Sequence, residues 1–401
     1  MRRTLGVGVA LFCLSLALAG CGASPQQAGP VQSSVSKNPA GDKEHSGETK
    51  PAAAANPQGE TMPGGAAGEK RLIFLTNGDS PFWYACRSGL EEGAKEFHLA
   101  DAGLSVKMEV NSGGAQGQID KLRQFGSQAD IAGVAISVIQ ADNPAIIAEM
   151  KNLQAKGVKI ITVDGDVNRA MFRDARPYYL GTDNIVGGKA LGTAAKQLLA
   201  ARQVEKGGYV QFAGFTDNDN ARNRMNGFQK AIGEAFEEKD RMPDEMDRAR
   251  ARDNVRNAIT NHRDLVALVG IWSYNAPAIA EIVEERNVRD KTTVITFDAE
   301  EAAIEKMSSG KIDAMVVQNP FDMGFRTVEL LKAMIADDKA VIAKMFPHAG
   351  QEDGDIYTTG LRVVVPDKDT PLKKEMFDAN VEYMTLSQFK EWLKKYGLTC
   401  S

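Results

Sequence analysis

Two carboxylates follow short apolar runs of the same kind in the two halves of the chain. Asp164 ends the run V-K-I-I-T-V, and Asp298 ends the run T-T-V-I-T-F. Unalternating runs of Val and Ile are typical of strands that are buried on both faces of a parallel sheet. Ligands of open parallel sheets bind beyond the carboxyl ends of the strands. We therefore expect both acids to face one cleft between two similar lobes.

Aromatic side chains follow a predicted strand in each half. Phe82 and Trp83 open a helix after the first strand, and Trp272 comes after a later one. At least one of the first pair is expected to face the cleft, although two core residues at an irregular turn are an equally good interpretation. A sugar has an apolar C–H face and a rim of hydroxyls, so its site needs flat aromatic faces and planar polar groups. The residue types match a sugar site.

Polar groups expected around such a ligand stand at strand ends and helix starts. Arg222 can donate as a fork while each carboxylate accepts from neighbouring hydroxyls. For Asp166 and Asp183, capping of the following helix is the favoured alternative role. The candidate ligand-binding residues are Asn77, Ser80, Phe82, Trp83, Ser137, Asp164, Gly165, Asp166, Arg222, Trp272, Ser273, Asn275, Asp298 and Gln318.

The sequence gives little support for catalysis, a cofactor or a metal. None of the four histidines lies beside the cleft motifs, and no nucleophile with its base is recognisable. The segment 181–190 lacks the first glycine and the Ser or Thr of a phosphate-binding loop, so Gly187 and Gly188 are expected to let a helix pack closely. No cysteine spacing indicates a metal site. We expect a non-catalytic binding protein, with a secreted enzyme that uses Asp164 or Asp298 as base as the alternative.

The chain has 401 residues, of which 43% are hydrophobic, and is long enough for two domains. Its net charge of −5 is spread over interspersed signs, so no nucleic-acid partner is expected. From Arg71 onward, predicted strands and helices alternate, which predicts parallel sheets with right-handed connections. The predicted fold class is α/β, with two doubly wound parallel-sheet lobes.

The first residues have the form of an export signal. Arg2 and Arg3 precede an apolar run that ends in L-A-G-C. This resembles a bacterial lipoprotein signal, residues 1–21, in which Cys21 is lipidated; an ordinary signal or a short membrane anchor is the less favoured alternative. Residues 22–70 are poor in large apolar residues and are predicted to be a disordered tether. We expect an exported protein that is lipid-anchored at the cell envelope.

Two further cysteines, Cys86 and Cys400, remain in the predicted folded part. Export permits a disulfide between them, although two unpaired thiols are at least as well supported. The segment 371–401 is set apart as a C-terminal extension of unassigned role. A predicted helix over 386–396 within it carries an apolar stripe that favours packing.

The order of these motifs resembles the ribose-binding-protein-like, type I periplasmic binding family, the sugar-binding proteins of bacterial ABC transporters. The resemblance covers residues 71–365. It rests on an aromatic pair after the first strand, two acids at strand ends, an arginine in an A-R-x-x-G-F-like pattern and a glutamine before a crossing. These are matched by Phe82 and Trp83, Asp164 and Asp298, Arg222 in A-R-N-R-M-N-G-F, and Gln318 in V-V-Q-N-P.

Two departures from the family pattern limit what the resemblance implies. Gly165 stands where an arginine is frequent in ribose binders, which argues against assuming ribose. The group W-S-Y-N at 272–275 stands where members often show Asn-Asp, so either Ser273 or Asn275 takes the part of the asparagine.

The resemblance implies a monomeric receptor that captures a monosaccharide or polyol between two lobes and delivers it to an ABC transporter permease. A sensor that presents its ligand to a chemoreceptor or sensor kinase is the alternative of the same fold. Family lobes exchange chain three times, here near Thr182, Asn319 and Tyr357. The expected lobes are therefore 71–181 plus about 319–356, and 182–318 plus about 357–370.

Overall fold

The structure, a computed structural model, describes residues 68–401. The predicted export signal, Cys21 and all but the last three residues of the predicted tether lie outside this range. No helix within it combines the length and apolar character needed to cross a membrane. Both Cys86 and Cys400 are buried, and within residues 68–401 neither is in a disulfide.

The first part of the fold alternates strands and helices as the sequence predicts. Asn143 caps one of these helices by accepting from the backbone N–H groups of Ala145 and Ile146. The elements are β1 (Lys70–Leu75), α1 (Phe82–Glu96), β2 (Leu104–Glu109), α2 (Gly114–Gly126), β3 (Ile131–Ile136), α3 (Pro144–Ala155), β4 (Lys159–Val163), α4 (Arg169–Phe172) and β5 (Tyr179–Gly181).

The alternation then begins again and includes one strand that the sequence did not predict. That strand, β7, is rich in charged residues and lies at a sheet edge. The elements are α5 (Asn184–Ala201), β6 (Gly207–Ala213), α6 (Asp219–Ile232), β7 (Phe236–Pro243), α7 (Arg248–Asn261), β8 (Leu265–Gly270), α8 (Asn275–Glu285), β9 (Thr293–Phe297), α9 (Glu301–Ser308) and β10 (Ala314–Val317).

The remaining elements are divided between the two sheets. They are α10 (Pro320–Ala336), α11 (Lys339–Met345), β11 (Ile356–Thr358), β12 (Leu361–Val365), β13 (Val381–Thr385) and α12 (Leu386–Lys395). β11 pairs with β5, whereas β12 pairs with β10 and β13. The segment after Pro371 thus adds an edge strand and a helix to the second sheet.

The two sheets are covered by helices on both faces. The first has the order β11-β5-β4-β3-β1-β2, and the second has the order β13-β12-β10-β9-β8-β6-β7. β10 and β12 are antiparallel, and all other neighbouring strands are parallel. Apolar side chains from helices fill a core on each face of each sheet. The predicted α/β class with two doubly wound lobes is confirmed; below, the first and second lobes are the six-stranded and seven-stranded sheets with their helices.

The chain passes between the lobes three times. β5 is followed by α5, which packs in the second lobe, and β10 is followed by α10, which packs against α1 in the first. β11 and β12 belong to different sheets and are separated by Thr359 and Gly360. Tyr357 therefore lies in the first sheet.

Glycines let paired helices approach closely, as the sequence predicts for Gly188. A Cβ at Gly188 in α5 would lie 2.1 Å from the carbonyl oxygen of Arg224 in α6. In the first lobe, a Cβ at Gly324 in α10 would lie 2.1 Å from the carbonyl oxygen of Cys86 in α1. Both distances are impossible for real atoms, so any side chain would force the helices apart.

We expect Gly188→Ala to lower the free energy of unfolding by about 1–3 kcal/mol, because displacement of α6 outweighs the gain in helix propensity. Gly360→Ala is a matched control: a Cβ there meets nothing within 4 Å, and the change should stay within about 0.5 kcal/mol. Urea unfolding of both variants measures the difference. Equal stability of the two would contradict the close packing.

Candidate functional site

One pocket collects side chains that follow the strands of both sheets. These residues lie in the loops and first helical turns that follow β1, β4, β6, β7, β8, β9 and β10, so the pocket lies at the carboxyl ends of the strands. Its lining comprises Asn77, Asp79, Ser80, Phe82, Trp83, Asp164, Asn218, Asn220, Arg224, Met246, Arg248, Trp272, Ser273, Tyr274, Asp298 and Gln318.

The two predicted acids occupy equivalent positions in the two lobes. Asp164 follows β4 and Asp298 follows β9, and each has a left-handed backbone with φ of 62°. Such a conformation is uncommon outside glycine but is tolerated by Asp, and strained backbone of this kind clusters at functional sites. Both side chains line the pocket and are almost completely buried.

Arg224 supplies the positive charge of the pocket. Its guanidinium Nη1 lies 3.9 Å from Oδ2 of Asp298, and the group is 3% exposed. Its Nε donates to Oδ1 of Asn184 at 2.8 Å, and its guanidinium carbon lies 3.9 Å from the centre of the Phe297 ring. These contacts fix the guanidinium from its own lobe and leave the pocket side for a ligand.

Burial shifts the pKa of each of the three charged groups, Asp164, Arg224 and Asp298. It raises the pKa of Asp298 to about 6, and Arg224 and Gln318 limit the rise. Burial likewise raises the pKa of Asp164 and lowers the pKa of Arg224, and in each case the opposite charges across the pocket oppose the shift. The pocket thus holds two acids whose charged forms lack full solvation.

The side-chain amide of Gln318 is fixed by Asp298 and has one buried oxygen atom, Oε1, that faces no donor in the described part of the chain. Its Nε2 donates to both carboxylate oxygens of Asp298, at 3.0 and 3.2 Å, which fixes the orientation of the amide. Its Oε1 is buried and has no hydrogen-bond partner among residues 68–401. Because an unsatisfied buried acceptor costs free energy, this oxygen is a ready acceptor for a ligand hydroxyl.

Direct hydrogen bonds join the lobes at the pocket. Asn220 of α6 donates through Nδ2 to the carbonyl oxygen of Asp164 at 3.0 Å and to its Oδ1 at 3.2 Å. Within the first lobe, Ser137 Oγ donates to Oδ2 of Asp164 at 3.1 Å. Asp164 is therefore held from both sides.

Aromatic faces come from both lobes. Phe82 and Trp83 both line the pocket while also packing in the first-lobe core, with their rings edge to face at 4.9 Å. Trp272 lines the pocket from the second lobe and packs edge to face on Phe215 at 6.0 Å. A flat, partly apolar ligand can contact aromatic surfaces of both lobes.

Two buried acids, Glu300 and Asp244, hold lining residues that follow β7 and β8. Arg248 donates to both carboxylate oxygens of Glu300, at 3.0 and 3.1 Å, and Ser273 Oγ donates to the same carboxylate at 3.1 Å. The hydroxyl of Tyr274 donates to buried Asp244, whose pKa is raised by burial.

The structure does not place Arg222 in the pocket. Its side chain is 44% exposed, and it donates to Oδ1 of Asp219 at 2.6 Å and to the carbonyl oxygen of Asp217 at 3.0 Å. Residues two apart on a helix point to different sides. In the motif A-R-N-R-M-N-G-F, the second arginine, Arg224, faces the pocket, and the prediction chose the first.

Asp166 and Gly165 also lie outside the pocket lining. The Asp166 carboxylate accepts from Arg176 at 2.6 and 3.0 Å and from Arg169 at 2.8 Å, and these charges hold its pKa below the usual range although burial opposes them. Its acceptor positions are occupied by the protein. A Cβ at Gly165 would lie 2.5 Å from the carbonyl oxygen of Val138, so no side chain fits there without a backbone shift.

Two more predicted residues, Ser137 and Asn275, support the lining from behind. Asn275 donates to Asp244 at 2.8 Å and accepts from the backbone N–H of Trp272 at 3.0 Å, whereas Ser273 lines the pocket. The predicted residues that do line it are Asn77, Ser80, Phe82, Trp83, Asp164, Trp272, Ser273, Asp298 and Gln318. The sequence reasoning missed Asp79, Asn218, Asn220, Arg224, Met246, Arg248 and Tyr274 as site residues.

The two covered sheets, the three crossings and the pocket between the lobes define a type I periplasmic binding fold. Residues 72–339 match the family model described as a periplasmic binding protein domain, and the chain belongs to this family.

Individual relatives are distant. The chain is 23% identical over 271 residues to the D-allose-binding periplasmic protein of Escherichia coli, covering 66% of this chain and 84% of that protein. It is 24% identical over 249 residues to the ribose import binding protein of Haemophilus influenzae, covering 60% and 77%. A solute-binding protein of an ABC transporter from Burkholderia graminis, solved with D-arabinose, superposes with a TM-score of 0.64 at 22% identity, covering 77% of this chain and 99% of that one.

The raised pKa of Asp298 predicts a pH dependence of stability. Because the folded chain binds this proton more tightly than the unfolded chain does, stability falls as pH rises from the ordinary Asp pKa through about 6. We expect Asp298→Asn to remove about 2 kcal/mol of this fall between roughly pH 4 and 7. Urea unfolding across this range measures the slope.

Asp166→Asn provides the contrast for this measurement. Since the pKa of Asp166 is lowered, its contribution to stability is present at neutral pH and is lost only as pH falls below about 4. If Asp298→Asn had the same slope as the wild type, the carboxyl group of Asp298 in the wild type would not have a raised pKa.

Proposed function

We propose that this protein is a non-catalytic receptor that captures a monosaccharide or similar polyol between its lobes and delivers it to an ABC importer. The observation that carries the proposal is the arrangement of Arg224 beside Asp298, with Asp164 across the same pocket and aromatic faces on both sides. Sugar hydroxyls can donate to the two carboxylates and to Gln318 Oε1 and accept from the guanidinium.

The aromatic residues support the same class of ligand. Phe82 and Trp83 of one lobe and Trp272 of the other offer faces for the C–H surface of a sugar ring. The names of the relatives, which bind or import allose and ribose, agree with a sugar. Gly165 stands where ribose binders often have an arginine, and it leaves no room for a side chain. We therefore do not assume that ribose is the ligand.

Binding and delivery follow from contact with both lobes. A ligand that touches Asp164 and Arg224 together has a higher affinity for the closed form than for the open form and so shifts the chain towards closure. A membrane permease can then recognise the closed form. In the proposed setting, lipid on Cys21 anchors the receptor at the cell envelope, and the chain acts as a monomer.

A thermal-shift screen tests the ligand class. Pentoses, hexoses, inositols and amino acids are each added at concentrations up to the millimolar range, and at least one sugar or polyol should raise the Tm. A ligand at about 100 times its Kd adds roughly 2.7 kcal/mol to stability, which for a chain of this size is a shift of a few degrees. A shift with amino acids and none with sugars would defeat the proposal.

A matched pair of substitutions on α6 tests the site. Arg224→Met should weaken sugar binding by about 100-fold or more, because it leaves the acids and the ligand without the buried cation. Arg222→Met should change Kd by less than about twofold, because this side chain is outside the pocket. Isothermal titration gives Kd, and circular dichroism checks folding. Loss of binding in Arg222→Met alone would place the site elsewhere.

A further inference from the structure

The final residues of the sequence lie beside the pocket, a position that their composition does not reveal. β13 extends the second sheet and α12 packs Phe389 and Leu393 into the core on one face of it. Beyond this helix, residues 400 and 401 are buried. Cys400 and Ser401 are only 3% and 1% exposed.

Ser401 joins the two loops that carry the second-lobe acid and its amide partner. Its backbone N–H donates to the carbonyl oxygen of Ala299 at 3.1 Å, and the N–H of Ala299 donates back to the carbonyl oxygen of Ser401 at 2.8 Å. Its Oγ donates to the carbonyl oxygen of Gln318 at 3.3 Å. Ala299 directly follows Asp298. Ser401 is therefore hydrogen-bonded both to the backbone next to Asp298 and to the backbone of Gln318.

The same segment reaches the first lobe. The Cys400 thiol donates to the carbonyl oxygen of Pro81 at 3.3 Å, directly before Phe82 and Trp83. The ring of Tyr396 packs on Phe321 of α10 with the ring centres 4.6 Å apart. The last residues therefore touch the residue directly before the aromatic pair of one lobe and the loops that carry the acid and amide of the other.

We propose that Cys400 and Ser401 are positioning residues of the sugar site, which fix the start of α1, with Phe82 and Trp83, relative to Asp298 and Gln318 in the closed form. This inference rests on the proposed function. A ligand gains affinity when the groups it contacts are already placed, because less ordering is needed on binding. A bridge that touches both lobes also stabilises closure, so it should slow the release of bound sugar.

The test compares the full chain with a chain that ends at Thr399, using D-allose, D-ribose and D-arabinose as probes. The shortened chain keeps Leu398, which packs against the second-lobe core. We expect its Kd to rise about tenfold or more, mainly through faster dissociation, with one sugar still bound per chain. Stopped-flow tryptophan fluorescence follows release, because Trp83 and Trp272 line the pocket.

The stoichiometry separates positioning from simple structural support. A tail that only stabilises the lobe would lower the fraction of active chain and leave the dissociation rate of that fraction unchanged, which would overturn the proposal. Kd and dissociation rate within about twofold of the full chain would overturn it as well. Lys394→Ala, at an exposed position of α12, is the control and should bind as the full chain does.

Two further arms complete the experiment. If the shortened chain does not fold, Cys400→Asp in the full chain places a carboxylate beside the Pro81 carbonyl oxygen; faster release supports the bridge, and unchanged release overturns it. If the full chain binds none of the three sugars but binds another sugar or polyol of the thermal-shift screen, that compound replaces them as probe. Absence of any sugar or polyol binding by the full chain refutes the proposed function, and with it the inference, whatever the shortened chain does.

Discussion

The site depends on one buried arrangement of charge, Arg224 facing Asp164 and Asp298. Removing such groups from water costs several kcal/mol each unless partners replace the lost hydration. The guanidinium obtains its partners from the second lobe, through Asn184, the carbonyl oxygen of Ile271 and the Phe297 ring. The carboxylates accept from Ser137, Asn220 and Gln318, yet burial still raises the pKa of each. In the proposed function, hydroxyl donors of a ligand would add to these hydrogen bonds and offset the cost of burying the charged acids.

This arrangement also explains why two lobes are needed. Asp164 belongs to the first lobe, whereas Arg224 and Asp298 belong to the second, so the charges meet only where the lobes meet. Separation of the lobes would return Asp164 to water and remove its hydrogen bonds from Asn220. In the proposed function, the balance between open and closed forms is thus set by hydration of the acids against the contacts of the closed pocket, and a sugar shifts it towards closure.

The central strands of the fold were predictable from sequence, whereas the edge strands β7, β11 and β13 were not. Strands such as β4 and β9 are continuous apolar runs because both of their faces are covered, and they give a clear signal. β7, with the sequence F-E-E-K-D-R-M-P, and β13 were missed. Both lie at edges of the second sheet, where charged and half-exposed side chains are usual and protect the edge from pairing with other chains.

The acids and the arginine of the site differ in how well sequence locates them. Asp164 and Asp298 recur at the same point of a repeated element, with the same left-handed backbone, so each supports the prediction of the other. The arginine has no such counterpart, and only the phase of α6 decides between Arg222 and Arg224. The sequence indicates this phase, because the apolar residues Ala221, Met225 and Phe228 are spaced by four and three. They form the buried stripe of the helix. Arg224 lies on this stripe, three residues after Ala221, whereas Arg222 does not. Burial of a charge within an apolar stripe, rather than its nearness to a helix start, is therefore the signal that identifies the arginine of the pocket.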